Sequence, residues 1–207
     1  MINVIKTDIE GVVIIEPKVF GDSRGYFFES WSQKDFDELV RPIMFVQDNE
    51  SMSTYGVMRG LHFQRPPYTQ SKLVRCVKGS VLDVAVDIRK GSPTYGQHVT
   101  CLLAAHDEEG ERFAKELGEE VTSSISPLPS YIGLQFFVPR GFAHGFAVLS
   151  ETAVFQYKCD EFYHPEDEGG LAWNDPDIGI EWPEVGEIIL SEKDKHHPTL
   201  SEANIVF

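Results

Sequence analysis

The fold is decided by the run Val81-Leu82-Asp83-Val84-Ala85-Val86-Asp87-Ile88-Arg89, in which apolar and polar residues alternate. Successive side chains of a β-strand point to opposite faces, so the even-numbered residues form an apolar face, while Asp83, Asp87 and Arg89 lie on the other face. This period of two predicts a strand. We expect its polar face to line an interior site and its apolar face to pack on a second sheet.

Similar short runs, separated by Gly and Pro, recur along most of the chain. Leu73–Lys78 reaches the run above through Gly79, which we expect to supply the positive φ of a tight hairpin turn. The other strand-like runs are Val12–Glu16, Tyr26–Glu29, Phe45–Gln47, Val57–Phe63, His98–Leu103, Leu134–Val138, Phe142–Leu149 and Ala153–Cys159. About ten short strands with turns between them predict a mainly β fold, an antiparallel sandwich or jelly-roll barrel with a few short helices.

One early segment has a helical pattern. Ser32 is a candidate N-cap, and Asp35 follows three residues later as in a capping box. The apolar face of this helix would be formed by Phe36, Leu39 and Val40.

Residues 104–130 differ in composition from the rest, with seven acidic residues against two basic ones, Arg112 and Lys115. Phe113 and Leu117 give residues 107–118 a thin apolar stripe, which is a weak sign of a helix. The end of the segment is rich in Ser and Pro and is typical of a loop. We therefore expect an acidic insertion between two barrel strands of a single domain spanning residues 1–207.

Length and composition are those of a globular domain. The 207 residues are 42% hydrophobic and 25% charged. The 18 Lys and Arg against 33 Asp and Glu give a formal charge of −15, which argues against nucleic acid or an anionic membrane as a partner. The N-terminal stretch, broken by charged residues, predicts neither a signal peptide nor a spanning helix. Three well-separated cysteines, Cys76, Cys101 and Cys159, fit a reducing cytoplasm.

Two histidines stand in strand-like runs. His62 shares parity with Gln64 and faces away from Leu61 and Phe63, although a single histidine of this kind is more often structural than catalytic. Residues 139–146 carry a PxGxxH pattern ending at His144, which resembles the second half of the cupin signature, where the histidine is usually a metal ligand.

The first half of the cupin signature has two histidines one residue apart, and Gln64 occupies the place of the second. Without that imidazole too few ligands remain for a firm transition-metal site, so this resemblance favours the barrel more than a metal. His196 and His197 belong to a charged C-terminal segment, where we expect no specific metal site.

Eight ordered segments together resemble the dTDP-4-dehydrorhamnose 3,5-epimerases, over nearly the whole chain outside the acidic insertion. They are Pro17–Gly25, Phe45–Asn49, Met58–Gln64, Lys72–Arg75, Asp83–Asp87, Gly91–Gly96, Gly141–Phe146 and Trp173–Pro176. The resemblance implies inversion of a dTDP-linked 4-keto-6-deoxyglucose at carbons 3 and 5. Both carbons flank the keto group, so each proton can leave to form an enolate and return from the other face, without a cofactor or metal.

The resemblance also implies the catalytic residues. His62 corresponds to the base, and imidazole has an unperturbed pKa of about 6.5. Asp194 corresponds to its orienting carboxylate, Tyr157 to the acid on the opposite face, and Lys72 to the cation beside the keto oxygen. Asp83 would orient Lys72 or His62.

Contacts to the nucleotide and diphosphate carry over to a larger set of polar residues. Arg59 offers a fork for phosphate oxygens, while Gln47 and Asn49 share a strand face and can bind the edge of a pyrimidine. Tyr163 is a candidate to stack near the base. The full substrate-binding set is Arg24, Glu29, Gln47, Asn49, Arg59, Lys72, His144, Tyr163, Glu168 and Lys193.

Other activities share this barrel. The first alternative is an epimerase of carbon 5 or carbon 3 alone, or a ketoisomerase, from another dTDP-deoxysugar pathway. A metal-dependent cupin enzyme would use His144 as a ligand, and a non-catalytic sugar-nucleotide-binding protein would need no base, acid and lysine together. The family resemblance implies a homodimer.

Overall fold

The computed structural model describes residues 2–110, 112 and 132–207, and β-strands are its main secondary structure. The elements are β1 (Ile2–Lys6), β2 (Val13–Pro17), β3 (Phe20–Asp22), β4 (Gly25–Phe27), α1 (Gln33–Leu39), β5 (Gln47–Thr54), β6 (Met58–Gln64), β7 (Lys72–Lys78), β8 (Ser80–Asp87), β9 (His98–Ala104), β10 (Gln135–Val138), β11 (Phe142–Val148), β12 (Thr152–Cys159) and β13 (Glu168–Gly170), with 3-10 helices at Pro165–Asp167 and Asp194–His196.

Two antiparallel sheets face each other. The six-stranded sheet has the order β1-β2-β10-β7-β12-β5 and the five-stranded sheet the order β13-β6-β11-β8-β9, while β3 and β4 form a separate two-stranded ribbon. Consecutive strands often lie in different sheets, as in a Greek-key or jelly-roll path. The predicted antiparallel jelly-roll fold is confirmed.

The space between the sheets is filled by an apolar core. Val74, Phe136 and Phe155 of the six-stranded sheet pack there with Ala85 and Phe146 of the five-stranded sheet. The strand β8 alternates as predicted, because its odd-numbered residues face this interior and its even-numbered residues face outward. All eight of its residues are buried, so the strand is covered on both faces.

The C-terminal segment covers the outward face of β8. Val84 and Val86 pack in one cluster with Leu171, Ile178 and Leu200. The prediction that this apolar face packs on a second sheet is therefore wrong. The second sheet lies on the opposite, more polar side of the strand, and the chain after β13 buries the apolar side instead.

The link between β7 and β8 is a corner between the two sheets. Gly79 has the predicted positive φ, +68°, and a Cβ there would collide with the Ser150 side chain and the Thr152 carbonyl. However, β7 pairs with β10 and β12, whereas β8 pairs with β9 and β11. The predicted hairpin is wrong because this short link passes the chain from one sheet to the other.

Helix α1 begins where the capping pattern predicts. The Ser32 side chain accepts a hydrogen bond from the Asp35 backbone N–H at 3.3 Å, and Phe36 is buried against the outer face of the six-stranded sheet. Val40 packs against the same cluster, but Leu39 is 53% exposed, contrary to the predicted apolar face. Among the described residues, no helix has the length and apolar character needed to span a bilayer.

Two strands show little apolar alternation and were not fully predicted. β1 carries Asn and Lys among its apolar residues, and β5 continues to Thr54 through a largely polar sequence, well beyond the predicted Phe45–Gln47. Pairing makes both regular: all eight residues of β5 have partners in β12, and all five residues of β1 have partners in β2.

The start of the acidic insertion is anchored to the barrel. The Asp107 carboxylate accepts hydrogen bonds from the Gly79 and Gly110 backbone N–H groups, at 3.0 and 2.6 Å. Residues 108–110 and 112 are helical, as predicted for the start of residues 107–118. The rest of the predicted helix, including Phe113 and Leu117, and the predicted loop lie outside the described residues.

Candidate active site

Two adjoining cavities open between the sheets, with volumes of about 500 and 250 Å³. They share His62, Lys72 and Tyr157, three of the four residues predicted to be catalytic. Of the described residues, the larger cavity is also lined by Ser51, Arg59, His144, Phe155, Leu190, Lys193 and Asp194 among others, and the smaller one by Gln47, Asn49, Gln64, Cys159, Tyr163 and Glu168 among others.

His62 lies in β6 with its side chain directed between the sheets. Leu61 and Phe63 on either side are buried in the cluster under the C-terminal segment, as strand parity predicts. The imidazole Nε2 of His62 lies 2.5 Å from Oδ1 of Asp194. The structure therefore brings together the predicted base and its predicted orienting carboxylate.

Asp194 opens a 3-10 helix, and its backbone N–H donates to Ser191 Oγ at 3.1 Å. Burial raises the pKa of the Asp194 carboxyl, but the hydrogen bond and charge of His62 outweigh burial, and the pKa stays below its usual range. An ionised carboxylate can only accept hydrogen bonds, so neutral His62 carries its proton on Nε2 and its lone pair on Nδ1.

Lys72 and Tyr157 lie on neighbouring strands, β7 and β12. The Lys72 Nζ is 5.8 Å from the centre of the Tyr157 ring. Burial lowers the pKa of the Lys72 ammonium, and nearby acidic groups oppose this only in part. Burial also raises the pKa of the Tyr157 phenol. Tyr157 is therefore a protonated hydrogen-bond donor at neutral pH.

Asp83 and His144 form a buried pair on adjacent strands, β8 and β11. The Nε2 of His144 lies 2.9 and 3.1 Å from the two carboxylate oxygens of Asp83. Burial raises the pKa of Asp83, although His144 opposes this effect. The hydrogen-bond partner of Asp83 is His144, and its charge also acts on the Lys72 ammonium, whose pKa it raises in opposition to burial. The predicted orienting role of Asp83 stays a prediction.

Polar groups line the smaller cavity. Gln47 Nε2 donates to Asn49 Oδ1 at 3.0 Å, so these two side chains share a strand face as predicted. Tyr163 donates its hydroxyl to Glu168 Oε2 at 2.7 Å, and the Lys193 ammonium pairs with the same oxygen. The bond to Glu168 raises the pKa of Tyr163 to about 12.

Arg59, Arg24 and Glu29 are predicted binding residues with exposed side chains, and only Arg59 lines a cavity that contains His62. Arg59 lines the larger cavity, and its Nε donates to Ser53 Oγ at 3.1 Å. Arg24 instead lines a recess formed by its own β3–β4 ribbon, where it pairs with Asp22. Neither Arg24 nor Glu29 lines the two cavities that contain His62.

The comparisons with known proteins identify the family. A profile of the family described as dTDP-4-dehydrorhamnose 3,5-epimerase matches residues 6–113 and 126–202. The Escherichia coli K12 protein of that name is 47% identical over 201 residues, which cover 97% of this chain and 95% of the relative. The chain belongs to the dTDP-4-dehydrorhamnose 3,5-epimerase family. Residues 114–125, which the profile leaves unmatched, fall inside the predicted acidic insertion.

Solved structures of the epimerase family share the fold. The Legionella pneumophila dTDP-6-deoxy-D-glucose-3,5-epimerase, in complex with dTDP-4-keto-L-rhamnose, has a TM-score of 0.83 and 43% identity, covering 99% of this chain and 95% of its own. ChmJ of Streptomyces bikiniensis, a 3'-monoepimerase in complex with dTDP-quinovose, has a TM-score of 0.78 and 30% identity, with coverage of 95% and 87%.

Sequence reasoning missed several residues of the site. Gln64 anchors the surrounding loops, because its amide donates to the Tyr68 and Phe162 carbonyls and accepts from the His164 N–H. Its parity with His62 was the available signal. Cys159, in the smaller cavity, shares parity with Tyr157 in the same way. Burial raises the pKa of the Cys159 thiol to about 11.

Potential metal ligands occur in two groups in the described part of the chain. One consists of His62, Asp194 and His197, and the other of His164, Glu166 and Asp167. The cupin-like position His144 belongs to neither, because its Nε2 is occupied by Asp83.

Proposed function

We propose that this chain converts dTDP-4-dehydro-6-deoxy-D-glucose to dTDP-4-dehydro-L-rhamnose, as a 3,5-epimerase of dTDP-L-rhamnose biosynthesis. The observation that carries the proposal is the His62–Asp194 pair, which lines the same cavity as Lys72 and Tyr157 in a chain of this family. A base, an acid and a cation around one cavity are the groups that inversion beside a ketone needs.

The first step is removal of a proton next to the keto group. His62 accepts the proton on Nδ1, and Asp194 stabilises the resulting imidazolium through Nε2. The electron pair of the broken C–H bond moves to the keto oxygen. Lys72 neutralises the charge of that enolate oxygen, and its burial strengthens the interaction because little water competes.

The second step is proton return on the opposite face. Tyr157 donates its phenolic proton to the carbon of the enolate, which restores the ketone with the configuration inverted. The raised pKa of Tyr157 keeps this proton in place until the enolate forms. Two rounds, at carbon 5 and carbon 3, complete the reaction, and solvent exchange resets the protonation of His62 and Tyr157 between them.

The nucleotide end of the substrate would occupy the smaller cavity. Gln47 and Asn49 can bind the pyrimidine edge, and Tyr163 stands beside them for stacking, since its backbone N–H donates to Gln47 Oε1 at 3.3 Å. Arg59 and Lys193 provide the positive charge for the diphosphate. His144 lines the larger cavity and would contact the substrate there.

We also propose a homodimer in which the β3–β4 ribbon reaches the partner's site. The ribbon pairs with neither large sheet, and Phe20, Tyr26 and Phe27 on it are each more than half exposed. Arg24 and Glu29 belong to the same region and lie away from their own chain's cavities. If both contact the substrate, a second copy has to supply them.

A cytoplasmic location is supported by the cysteines. Cys76, Cys101 and Cys159 are buried free thiols, as expected where the environment keeps thiols reduced. The substrate would be a nucleotide sugar. The formal charge of −15 disfavours nucleic acid and anionic membranes as further partners.

The alternative is a single epimerase, because ChmJ, a 3'-monoepimerase, has the same fold. Proton NMR of the purified protein with dTDP-4-keto-6-deoxyglucose in deuterated water, with a chelator present, distinguishes the two. Deuterium at carbons 3 and 5 with inversion at both supports the double epimerase. Exchange at one carbon supports the alternative, and exchange at neither contradicts both.

A further inference from the structure

His197 belongs to the charged C-terminal segment in which no specific metal site was expected. Its side chain is only 10% exposed, and within the described chain its Nε2 makes no hydrogen bond. Gly170 makes room for the ring, since a Cβ at that position would collide with it. A buried imidazole nitrogen that makes no well-formed hydrogen bond is costly unless something binds it.

This nitrogen of His197 faces the catalytic pair across a long contact. Its Nε2 lies 3.4 Å from Asp194 Oδ1, and its ring is edge-on to that of His62, with the ring centres 5.6 Å apart. The 3-10 helix Asp194–His196 produces this arrangement, because it returns the chain after one turn.

The spacing of the three donors is close to that of a metal site. One nitrogen from each histidine and one Asp194 oxygen all lie within 4.8 Å of one another. In a tetrahedral zinc site with bonds of 2.0–2.1 Å, neighbouring donors are about 3.3 Å apart. The His197–Asp194 distance already matches, and the His62–Asp194 distance of 2.5 Å would open by less than about 1 Å.

Two imidazoles and one carboxylate favour a borderline transition-metal ion such as Zn²⁺ or Co²⁺ over Mg²⁺ or Ca²⁺, which prefer oxygen ligands. His62 and Asp194 line the larger cavity, which leaves space for a water or another exogenous ligand in the fourth position. The site therefore has three protein ligands and an open coordination position.

We propose that His62, Asp194 and His197 form an inhibitory site for Zn²⁺-like ions. The ion would bind the lone pair of His62 Nε2, so the single proton of the neutral ring would move to Nδ1. Nδ1 then has no lone pair for the substrate, and Asp194 coordinates the metal instead of stabilising an imidazolium. The inhibitory effect rests on His62 acting as the base, whereas metal binding itself does not.

Binding can be measured apart from activity by titrating the chelator-treated protein with Co²⁺ and following visible absorption, then displacing Co²⁺ with Zn²⁺. We expect one Co²⁺ per chain with the intense bands of a four-coordinate site. Epimerase assays in Zn²⁺ buffers should show inhibition that follows the same binding curve and is reversed by a chelator. Absence of such bands from the folded protein would overturn the proposal.

Matched variants test the ligands. His197→Gln should weaken Co²⁺ and Zn²⁺ binding at least tenfold, whereas His196→Gln, which changes the exposed neighbour, should leave binding and inhibition unchanged. Loss of binding in His164→Gln with retention in His197→Gln would place the ion at the other donor group and contradict the proposal. Should His197→Gln fail to fold, ring-nitrogen NMR of the unaltered protein replaces it, and Zn²⁺ must then shift the resonances of both His62 and His197.

The proposed reaction and the proposed metal site can be refuted independently of each other. An inactive protein that still binds Co²⁺ at this site would refute the proposed reaction and keep the metal site. An active epimerase that does not bind Co²⁺ at this site would refute the metal site and keep the reaction, and one that binds Co²⁺ there but is insensitive to Zn²⁺ would refute the inhibition.

Discussion

His62 and Asp194 are separated by 132 residues in the chain, yet Nε2 of one lies 2.5 Å from Oδ1 of the other. The contact joins β6 to the C-terminal segment that also covers the outer face of the five-stranded sheet. Leu200 and Ile205 of that segment are buried in the same cluster as Leu61, the neighbour of His62. Packing of the C-terminal segment therefore fixes the orientation of the proposed base.

Replacing the base should remove turnover without removing binding. His62→Ala is expected to lower kcat by about 10²–10⁴-fold, the usual contribution of a general base, while dTDP affinity measured by calorimetry stays near that of the unaltered protein. Asp194→Asn should lower kcat by up to about 10⁴-fold, because the amide removes the stabilising charge and no longer holds the proton of His62 on Nε2. Near-normal turnover of His62→Ala would show that another group abstracts the proton.

Removing the phenol should separate proton loss from product formation. In Tyr157→Phe, His62 and Lys72 can still form the enolate, but the opposite face has no donor. We expect deuterium exchange in the substrate to continue while formation of the inverted product falls by about 10²-fold or more, both followed by proton NMR in deuterated water. An equal loss of exchange and inversion would contradict the role of Tyr157 as the acid.

Deprotonation of Lys72, the cation beside the enolate, should limit activity at alkaline pH. Burial lowers the pKa of Lys72, so its ammonium is lost at a lower pH than that of an exposed lysine, near 10.4. As pH rises through the lowered value, kcat/KM should fall. Lys72→Met should be nearly inactive, and any residual activity of Lys72→Arg should lose this alkaline decrease because guanidinium stays charged. An unchanged alkaline decrease in Lys72→Arg would assign it to another group.

Strand parity predicted much of the fold and of the site. It placed His62 and Gln64 on the inner face of β6 and paired Gln47 with Asn49, because a strand alternates its side chains whatever its partners are. It did not predict which sheet each strand joins. Gly79 signals a turn, but a positive φ is compatible with both a hairpin and a corner between sheets.

The remaining contacts depend on long-range packing. No local pattern shows that Asp83 binds His144 or that His197 lies beside Asp194, because each pair meets only when separate elements are packed. The outer cover of β8 was missed for the same reason: an apolar face predicts burial, but not which segment buries it. Asp194 itself came from the family resemblance and not from periodicity.

Mixing two impaired variants tests whether each active site takes residues from both subunits. Arg24→Ala should lower kcat/KM by about 10–100-fold through loss of a charge-assisted contact to the substrate, and His62→Ala abolishes the base. In a mixed dimer, one site would combine His62 of one chain with Arg24 of the other. After subunit exchange we expect activity to recover to about a quarter of the unaltered level, as for random pairing in a two-fold dimer. No recovery, with mixed dimers confirmed by mass, would contradict an active site that takes residues from both subunits.

The stability of the barrel at acid pH should depend on Asp87. Its buried carboxylate accepts hydrogen bonds from the Arg89 side chain and from the hydroxyls of Ser92 and Thr94, the latter two at 2.6 Å. Burial raises the pKa of Asp87, but these hydrogen bonds outweigh it and hold the pKa well below its usual range. Asp87→Asn replaces an acceptor with an NH₂ group among these donors, and should lower the free energy of unfolding by about 2–4 kcal/mol at neutral pH.

The sign of the pH dependence follows from the lowered pKa of Asp87. The ionised carboxylate stabilises the folded state fully above the unfolded pKa of about 3.9, and that contribution is lost as pH falls toward the folded value. The difference in free energy of unfolding between the unaltered protein and Asp87→Asn, measured with urea, should therefore become smaller below about pH 4. Asp177→Asn, at an exposed position, should stay within about 0.5 kcal/mol of the unaltered protein. A difference of constant size from neutral to acid pH would mean that the ionised form of Asp87 contributes nothing specific to the fold.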